Sequence, residues 1–316
     1  MSHPEQLFCC FTIDGDQFLG ELNLDGDETN LCLNSRREIP YSPEPHSLFG
    51  ESLDHKKISL FQCVGNSPDP EGIYPKFVFK RNTFPHYTLI GHEHFDEDDR
   101  VFMSVSFKAD DLGLVLSKRG TFGVAQPAPE KLQEMLEGAF PARKIAIGRS
   151  PTVFFFSGDQ DNLPIDVGIG MFSANLDFRS KVSNDAGISC PSETTARLDF
   201  KHAKTLNEVI DDVNSILHFL AVIAGRPQGV DNINVTTSES APDEQAIPGG
   251  ELTVYWSLAP RTGKAAVSST RDMPVTPDSD SEQFFRVFGN WLRRHDEWML
   301  ARLRILNWQK NGREYD

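Results

Sequence analysis

Residues 198–235 read LDFKHAKTLNEVIDDVNSILHFLAVIAGRPQGVDNINV, and they join two strand-like segments through one amphipathic stretch. Thr205 and Glu208 have the T-x-x-E spacing of a capping box, which predicts a helix start. Gly225 and Pro227 supply a typical helix stop. Apolar residues recur at helical spacing between these signals: Leu206, Ile210, Val213, Leu217, Leu220 and Ala224. The pattern predicts one helix that packs its apolar stripe on a sheet.

The sequence around this stretch is typical of short antiparallel strands. The segments are rich in Val, Ile, Phe and Tyr and are broken by Gly, Pro and acidic turns. Asp25-Gly26-Asp27 lies between two alternating segments and predicts a hairpin. Strands are predicted at 17–34, 57–65, 75–82, 87–95, 100–109, 144–158, 167–182 and 195–203. The fold class predicted is α+β, mainly β: an antiparallel β-sandwich-like domain with one packed helix, followed by a C-terminal helical segment.

The composition changes at SSTRDMPVTPDSD, residues 268–280, which is rich in Pro, Ser and Asp. This stretch ends in a second capping box at Ser279–Glu282. We therefore expect a β-rich domain over 1–267, a linker over 268–281 and a helical segment over 282–316.

The helical segment is predicted to be one continuous helix from Glu282 to about Trp308. Six Lys or Arg residues and two acidic residues lie between 291 and 313, so this part carries +4 although the whole chain carries −15. Its apolar stripe contains Phe284, Phe288, Trp291, Trp298, Met299, Ile305 and Leu306. Such a stripe cannot be buried by the helix alone.

A charged residue lies in the centre of this stripe, because 100° per residue places Arg302 and His295 there. An unpaired buried charge costs several kcal/mol. We therefore expect Arg302 to meet a carboxylate of a neighbouring domain or of a second protomer. The alternative is a helix folded back on its own domain with Arg302 in solvent. The candidate interface residues are Trp291, His295, Trp298 and Arg302.

Composition and charge exclude several classes of protein. Apolar residues make up 39% of the chain and charged residues 24%, which is typical of a globular protein and not of a disordered one. The net charge of −15 argues against nucleic-acid binding by this chain alone. The longest apolar run, Ile216–Ala224, contains His218, so no membrane contact is predicted. His218 lies off the helix stripe and is expected to be solvated.

The cysteines are five in number, sparse, and without paired C-x-x-C spacing, which predicts free thiols and a cytoplasmic location.

The cofactor and nucleophile motifs in the sequence are incomplete. Gly168–Gly170 lacks the third glycine of a dinucleotide fingerprint, and 262–265 lacks the upstream glycine of a P-loop. Gly148–Thr152 has no glycine at the fifth position of a nucleophile elbow. We expect no cofactor and no catalytic residue in this chain.

The best metal-like cluster is HEHFDEDD, residues 92–99. On a strand, His92 and His94 would share one face, which suits two imidazole ligands on one zinc ion. Nothing in the sequence fixes a third ligand, and a solvated turn explains the acids equally well. No metal is therefore predicted.

Three segments together resemble the N-terminal domain of ApeA-type bacterial antiphage proteins: residues 86–107, 58–64 and 198–235. The resemblance covers about residues 17–260 and rests on the order and patterning of the segments. It implies a β-rich domain joined to a C-terminal helical HEPN domain, a ribonuclease fold of abortive-infection systems. Because the sequence ends at Asp316, about where such helices should begin, we expect the HEPN domain to be absent from these residues.

The HEPN motif is R-x(4–6)-H near a helix start, and two literal matches exist. Arg81–His86 and Arg197–His202 both lie in strand-like sequence. A motif outside its structural context is not expected to be catalytic.

Three functions remain open. The first is a sensory or regulatory module whose partners are a HEPN effector domain or a second protomer, with a phage-derived trigger, and with no enzyme activity in this chain alone. The second is a β-sandwich that binds a small ligand or a glycan. The third is a metal-dependent hydrolase built on His92 and His94.

Overall fold

A computed structural model describes residues 5–72, 78–116, 122–156, 164–178, 181–183, 187–189, 192–237, 250–260, 273–277 and 279–311. The strands are β1 (Glu5–Ile13), β2 (Asp16–Leu24), β3 (Asn30–Ser35), β4 (His46–Ser52), β5 (Lys57–Gly65), β6 (Asp69–Glu71), β7 (Val78–Phe84), β8 (Tyr87–Gly91), β9 (Phe102–Ala109), β10 (Phe122–Ala125), β11 (Val153–Phe156), β12 (Ile165–Asp166), β13 (Gly170–Phe178), β14 (Lys181–Ser183), β15 (Gly187–Ser189), β16 (Ser192–Lys204), β17 (Val230–Thr237) and β18 (Glu251–Trp256). The α-helices are α1 (Leu112–Leu116), α2 (Pro129–Ala139), α3 (Leu206–Ala224), α4 (Ser281–Arg293) and α5 (His295–Asn311). The predicted α+β, mainly β class is confirmed.

Six strands close into an antiparallel barrel in the order β5-β4-β1-β2-β3-β7, and a β5–β7 pairing completes it. Alternate residues of most of these strands point inward and are buried, which is the period-two pattern of a half-buried sheet. In β5, by contrast, the four consecutive residues 58–61 are buried, because this strand also belongs to the rest of the sheet. Gly20 permits a close approach here, because a Cβ at this position would lie 2.6 Å from the Leu33 side chain. The barrel core contains Cys9, Phe11, Phe18, Leu22, Leu24, Leu31, Leu33, Ile39, Leu48, Ile58, Leu60, Cys63 and Ile90.

β6 pairs with β7 at one end of the large sheet. The other strands outside the barrel form an open part that continues from β5 in the order β8-β18-β17-β9-β16-β13-β12. A second core lies between this open sheet and the helices, and α3 contributes most of its apolar face to it. The layered part of the fold therefore consists of helices packed on an open sheet. The barrel adjoins this part, because both share strand β5 in the same large sheet.

Helix α3 follows the sequence prediction closely. The Thr205 side chain accepts from the Glu208 backbone N–H, and the Glu208 side chain accepts from the Thr205 N–H, so the capping box is confirmed. Gly225 ends the helix in the left-handed conformation with φ of 68°. This conformation favours glycine because a side chain would be strained there.

Several strands are shorter than predicted. The hairpin around Asp25-Gly26-Asp27 is confirmed, since β2 pairs antiparallel with β3. By contrast, β8 ends at Gly91, so the segment 92–95 is not strand. The predicted strand over 144–158 reduces to β11 among the described residues.

The prediction of one continuous C-terminal helix is wrong. Residue Arg294, with φ of −109° and ψ of 30°, separates α4 from α5. The backbone N–H of Arg294 remains hydrogen-bonded at the break, since it donates to the carbonyls of Asn290 and Leu292. The predicted boundary at 267 lies outside the described residues. The division at 267 and 281 stays a prediction, although α4 is part of the second core.

A buried ion pair fixes the end of α3 to the start of α1. Arg226 donates from Nε and Nη2 to the two carboxylate oxygens of Asp111, at 2.6 and 2.5 Å. Gln228 Nε2 donates to the same carboxylate at 2.8 Å, and Gln228 Oε1 accepts from the Asp111 N–H at 3.0 Å. Bidentate geometry of this kind is the strong form of an Arg–carboxylate pair.

Candidate functional site at the C-terminal helices

Helix α4 packs on α3 and the open sheet through aromatic side chains. The ring of Phe288 lies 4.8 Å from that of Phe219 on α3 and 5.0 Å from that of Phe172 on β13. Phe284 and Leu292 are also buried. The first half of the C-terminal segment therefore belongs to the core of the β-rich unit.

Trp291 connects α4 to both neighbouring helices. Its indole Nε1–H donates to the Ser215 carbonyl of α3 at 2.9 Å. On the other side, the Arg302 guanidinium of α5 lies 3.8 Å from the centre of a Trp291 ring. Arg302 Nη2 also donates to the Trp291 carbonyl at 2.7 Å. A guanidinium stacked on an indole and bonded to a helix C-terminal carbonyl has two favourable contacts for its charge.

The break at Arg294 explains why this carbonyl is available. In an uninterrupted helix the Trp291 carbonyl would accept from the N–H four residues later. The break leaves it among the unsatisfied carbonyls of a helix end, where a cation is favourable. Arg302 is 5% exposed. Among the described residues no carboxylate lies within ion-pair distance of it, so a carboxylate from another domain or protomer stays a prediction.

Two histidines, His295 and His218, lie near this contact. The Nδ1 of His295 lies 3.3 Å from Nη1 of Arg302. His218 on α3 is half-buried, so the prediction of a solvated histidine is wrong; α5 packs against this part of α3. Burial lowers the pKa of His218, and the nearby His295 and Arg302 lower it further.

Acidification is expected to weaken the fold through His218. A histidine whose pKa is lowered in the folded state favours the neutral form, so its contribution is present above the unfolded pKa of about 6.5 and is lost as pH falls below it. We expect unfolding measurements on His218→Gln to show a flatter loss of stability from pH 7 to 5 than the parent. His202→Gln, on an exposed histidine, is the control and should follow the parent. Parallel curves for His218→Gln and the parent would contradict this expectation.

The other side of α5 carries apolar side chains on its surface. We define the α5 outer face as Met299, Leu300 and Leu303, which are neighbours at helical i, i+3 and i, i+4 spacing. Leu300 is 73% exposed. Trp298 is 48% exposed. Around the helix axis it lies on the opposite side of Arg302 from Met299. An exposed apolar group of this kind is typical of an interaction surface.

The structure thus brings together three of the four predicted interface residues, Trp291, His295 and Arg302, within one intramolecular contact, and it places Trp298 on the surface. The sequence analysis considered only one apolar stripe, the one that begins at Phe284, and it missed Leu300 and Leu303 because they lie off that stripe. Their helical spacing from Met299 was the signal that could have found them.

Replacing Arg302 with methionine is expected to lower the free energy of unfolding by about 1–2 kcal/mol, because both the ring contact and the charged hydrogen bond are lost. Trp298→Ala should change it by about 0.5 kcal/mol or less, since that side chain is half exposed. Thermal melting and sedimentation of both variants test this. Equal melting temperatures for Arg302→Met and the parent would show that the contact does not stabilise the fold.

Neither R-x4-H match lies on a helix: the first runs from a strand into a turn, and the second lies on a strand. Arg81 is on β7, and His86, in the turn after it, contacts Gln62 Oε1 through Nδ1 at 2.9 Å. Arg197 is on β16 and pairs with Asp199 at 2.8 Å, while His202 is exposed on the same strand. Neither pair has the helical context of the HEPN motif.

We expect the purified chain to leave transfer RNA intact, because neither match can present an arginine and a histidine from a helix start. Gel analysis of RNA incubated with the chain is the measurement. Cleavage that disappears in His86→Ala or His202→Ala, and persists in His92→Ala, would contradict this prediction.

The metal-like cluster is not on a strand. His92 and His94 follow the end of β8; His92 lies 3.3 Å from the Glu93 carboxylate, and His94 meets the Phe49 ring edge-on. Within the described part of the chain, no group of three or more His, Cys, Asp or Glu residues is placed to hold a metal ion. The shared strand face predicted for the two imidazoles is therefore wrong.

Among the helices that the structure describes, none is long and apolar enough to span a membrane.

Cys9 is buried and its neighbour Cys10 is half-buried, as expected for adjacent residues of a strand. Burial raises the pKa of the Cys9 thiol to about 12, so this thiol is not activated.

Comparison with known proteins gives one family. The profile of the family described as ApeA N-terminal domain 1 matches residues 10–291, which include the barrel except the first half of β1, the open sheet, α3 and most of α4. No curated protein and no solved structure matches the chain.

Proposed function

The chain belongs to the ApeA N-terminal domain 1 family, and from this membership we propose that it is the sensory or regulatory module of an antiphage abortive-infection protein. In this proposal a HEPN effector domain carries the ribonuclease activity, and a phage-derived component is the trigger. The module works in the cytoplasm and does not itself cleave RNA.

The observation that supports this role is the contrast between the two sides of α5. One side is attached to α3 and α4 through Arg302 and Trp291. The other side presents the α5 outer face to solvent. A helix held by one unit and apolar towards the outside is suited to contact a second unit, and a change in the first unit can then move the contact.

The position of α5 and the positive charge of the stretch from 291 to 313, which begins in α4 and contains α5, favour the effector as the second unit. Helix α5 lies beyond residue 291, where the match to the family domain ends. The stretch from 291 to 313 carries +4 in a chain of net charge −15. An acidic surface on the effector would complement it, and such complementarity fixes register and partner choice.

The test is phage plating on cells that produce the full-length protein. We expect Leu300→Ser combined with Leu303→Ser to reduce protection about tenfold or more, since apolar residues at an interface centre each contribute on the order of 1 kcal/mol or more. Met135→Ser on α2 is the matched control, because Met135 is 68% exposed and lies outside the C-terminal helices. Immunoblots should show equal protein levels. Full protection by the double variant would contradict the proposal.

A further inference from the structure

Arg81 is a fully buried charge inside the barrel. On β7, Arg81 is paired with Leu33 of β3 and Thr83 with Leu31. Directly opposed residues of paired strands point to the same face. Because both leucines are in the barrel core, Arg81 and Thr83 also point into the barrel. Arg81 is 1% exposed and Thr83 is completely buried.

The partners of this guanidinium are neutral. Nη1 donates to the Pro40 carbonyl, and Nη2 donates to Nε2 of His46 at 3.0 Å. The Nδ1 of His46 lies 2.9 Å from the Glu44 carbonyl, which only accepts, so Nδ1 carries the proton and Nε2 is the acceptor of a neutral imidazole. The Tyr41 ring, 5.7 Å from the guanidinium carbon, is also uncharged.

No negative group within the described ranges balances the charge. Burial raises the pKa of the nearby Cys63 thiol to about 12, so this thiol remains protonated. Burial also lowers the pKa of Arg81. A buried cation without an anion is strongly unfavourable, and proteins ordinarily provide a paired carboxylate or a bound anion.

Two hydrogen-bond donors on Arg81 and Thr83 have no partner among the residues that the structure describes. They are Nε of Arg81 and Oγ1 of Thr83. The two residues are separated by one position on the same face of β7, so their Cα atoms are about 7 Å apart. Gly65 of β5 is paired with Thr83, and a Cβ at this position would lie 3.2 Å from the hydroxyl oxygen. The glycine therefore keeps side-chain atoms away from the hydroxyl.

We propose that Arg81 and Thr83 form a binding site for a small oxyanion, a carboxylate or a phosphate, inside the barrel. The anion supplies the missing negative charge and accepts one charge-assisted hydrogen bond from Arg81 Nε–H and one hydrogen bond from the Thr83 hydroxyl. In this proposal the anion enters past Tyr41, which is exposed in the β3–β4 connection and whose ring centre lies 5.7 Å from the guanidinium carbon. This inference does not depend on the proposed function.

The test is NMR observation of the Arg81 Nε–H group in the intact chain, because a buried guanidinium proton exchanges slowly enough to be detected. Its resonance is assigned by its disappearance in Arg81→Gln. We expect sodium phosphate or sodium acetate, at ionic strength held constant with sodium chloride, to shift this resonance in a saturable way. A response to one salt only identifies the ligand as a phosphate or as a carboxylate.

Two variants make the result specific. Thr83→Val removes the hydroxyl with little change of shape and should weaken the affinity about tenfold, as expected for one lost bond to a charged ligand. Arg100→Gln, at an exposed arginine, should leave the affinity unchanged. The proposal is wrong if the Arg81 resonance does not saturate with either anion, or if Thr83→Val binds as tightly as the parent.

Discussion

Asp111→Asn is expected to destabilise the fold by about 3–5 kcal/mol, because it removes the carboxylate from a buried arginine. Asp111 accepts from Arg226 at 2.6 and 2.5 Å and from Gln228 at 2.8 Å. Burial by itself would raise the pKa of Asp111, but the hydrogen bonds from Arg226 and Gln228 outweigh it and the pKa is lowered. Chemical unfolding followed by circular dichroism measures the effect.

The same pair gives a pH dependence with a defined sign. A carboxylate whose pKa is lowered in the folded state stabilises the fold above its unfolded pKa of about 3.9, and the contribution is lost as pH falls below that value. The matched control is Asp199→Asn, since Asp199 pairs with Arg197 on the surface. Surface pairs contribute about 1 kcal/mol or less. Equal losses in the two variants would show that the Asp111 pair does not fix α3 to α1.

Phe288→Ala is expected to cost about 3–5 kcal/mol, the usual range for removal of a buried phenylalanine. Its ring contacts those of Phe219 on α3 and Phe172 on β13, so the variant leaves a cavity between α4 and the second core. The measurement is the free energy of unfolding from urea titration.

Val287→Ala on the same helix is the control, because this valine is partly exposed. We expect it to change the free energy of unfolding by about 0.5 kcal/mol or less. If Phe288→Ala unfolds at the same urea concentration as Val287→Ala, then α4 is not part of the core and is only attached to it.

The sequence was most informative where local signals decide the structure. Helix α3 could be predicted because Thr205, Glu208 and Gly225 fix both ends and its apolar period is regular. The β2–β3 hairpin followed from Asp25-Gly26-Asp27. These signals are short in range, so they need no knowledge of the rest of the chain.

The long-range features could not be predicted in this way. Closure of the barrel depends on the pairing of β5 with β7, and at Gln62 the backbone of β5 adopts a positive φ of 52° close to this pairing. No local pattern marks such a bulge in advance. The break at Arg294 is also invisible to helical periodicity, because the apolar spacing continues across it. The contacts of Arg302 with the Trp291 carbonyl and ring therefore could not be predicted, while the carboxylate partner stays a prediction.

The role of the C-terminal helices is tested most directly by RNA cleavage in infected cells that produce the full-length protein. With the natural sequence, we expect RNA to be cleaved after infection and to remain intact before it. With Leu300→Ser and Leu303→Ser combined, we expect the same RNA pattern before and after infection, because the effector no longer follows the state of the β-rich module. If the double variant cleaves RNA only after infection, as the natural protein is expected to, then α5 does not connect the module to its effector.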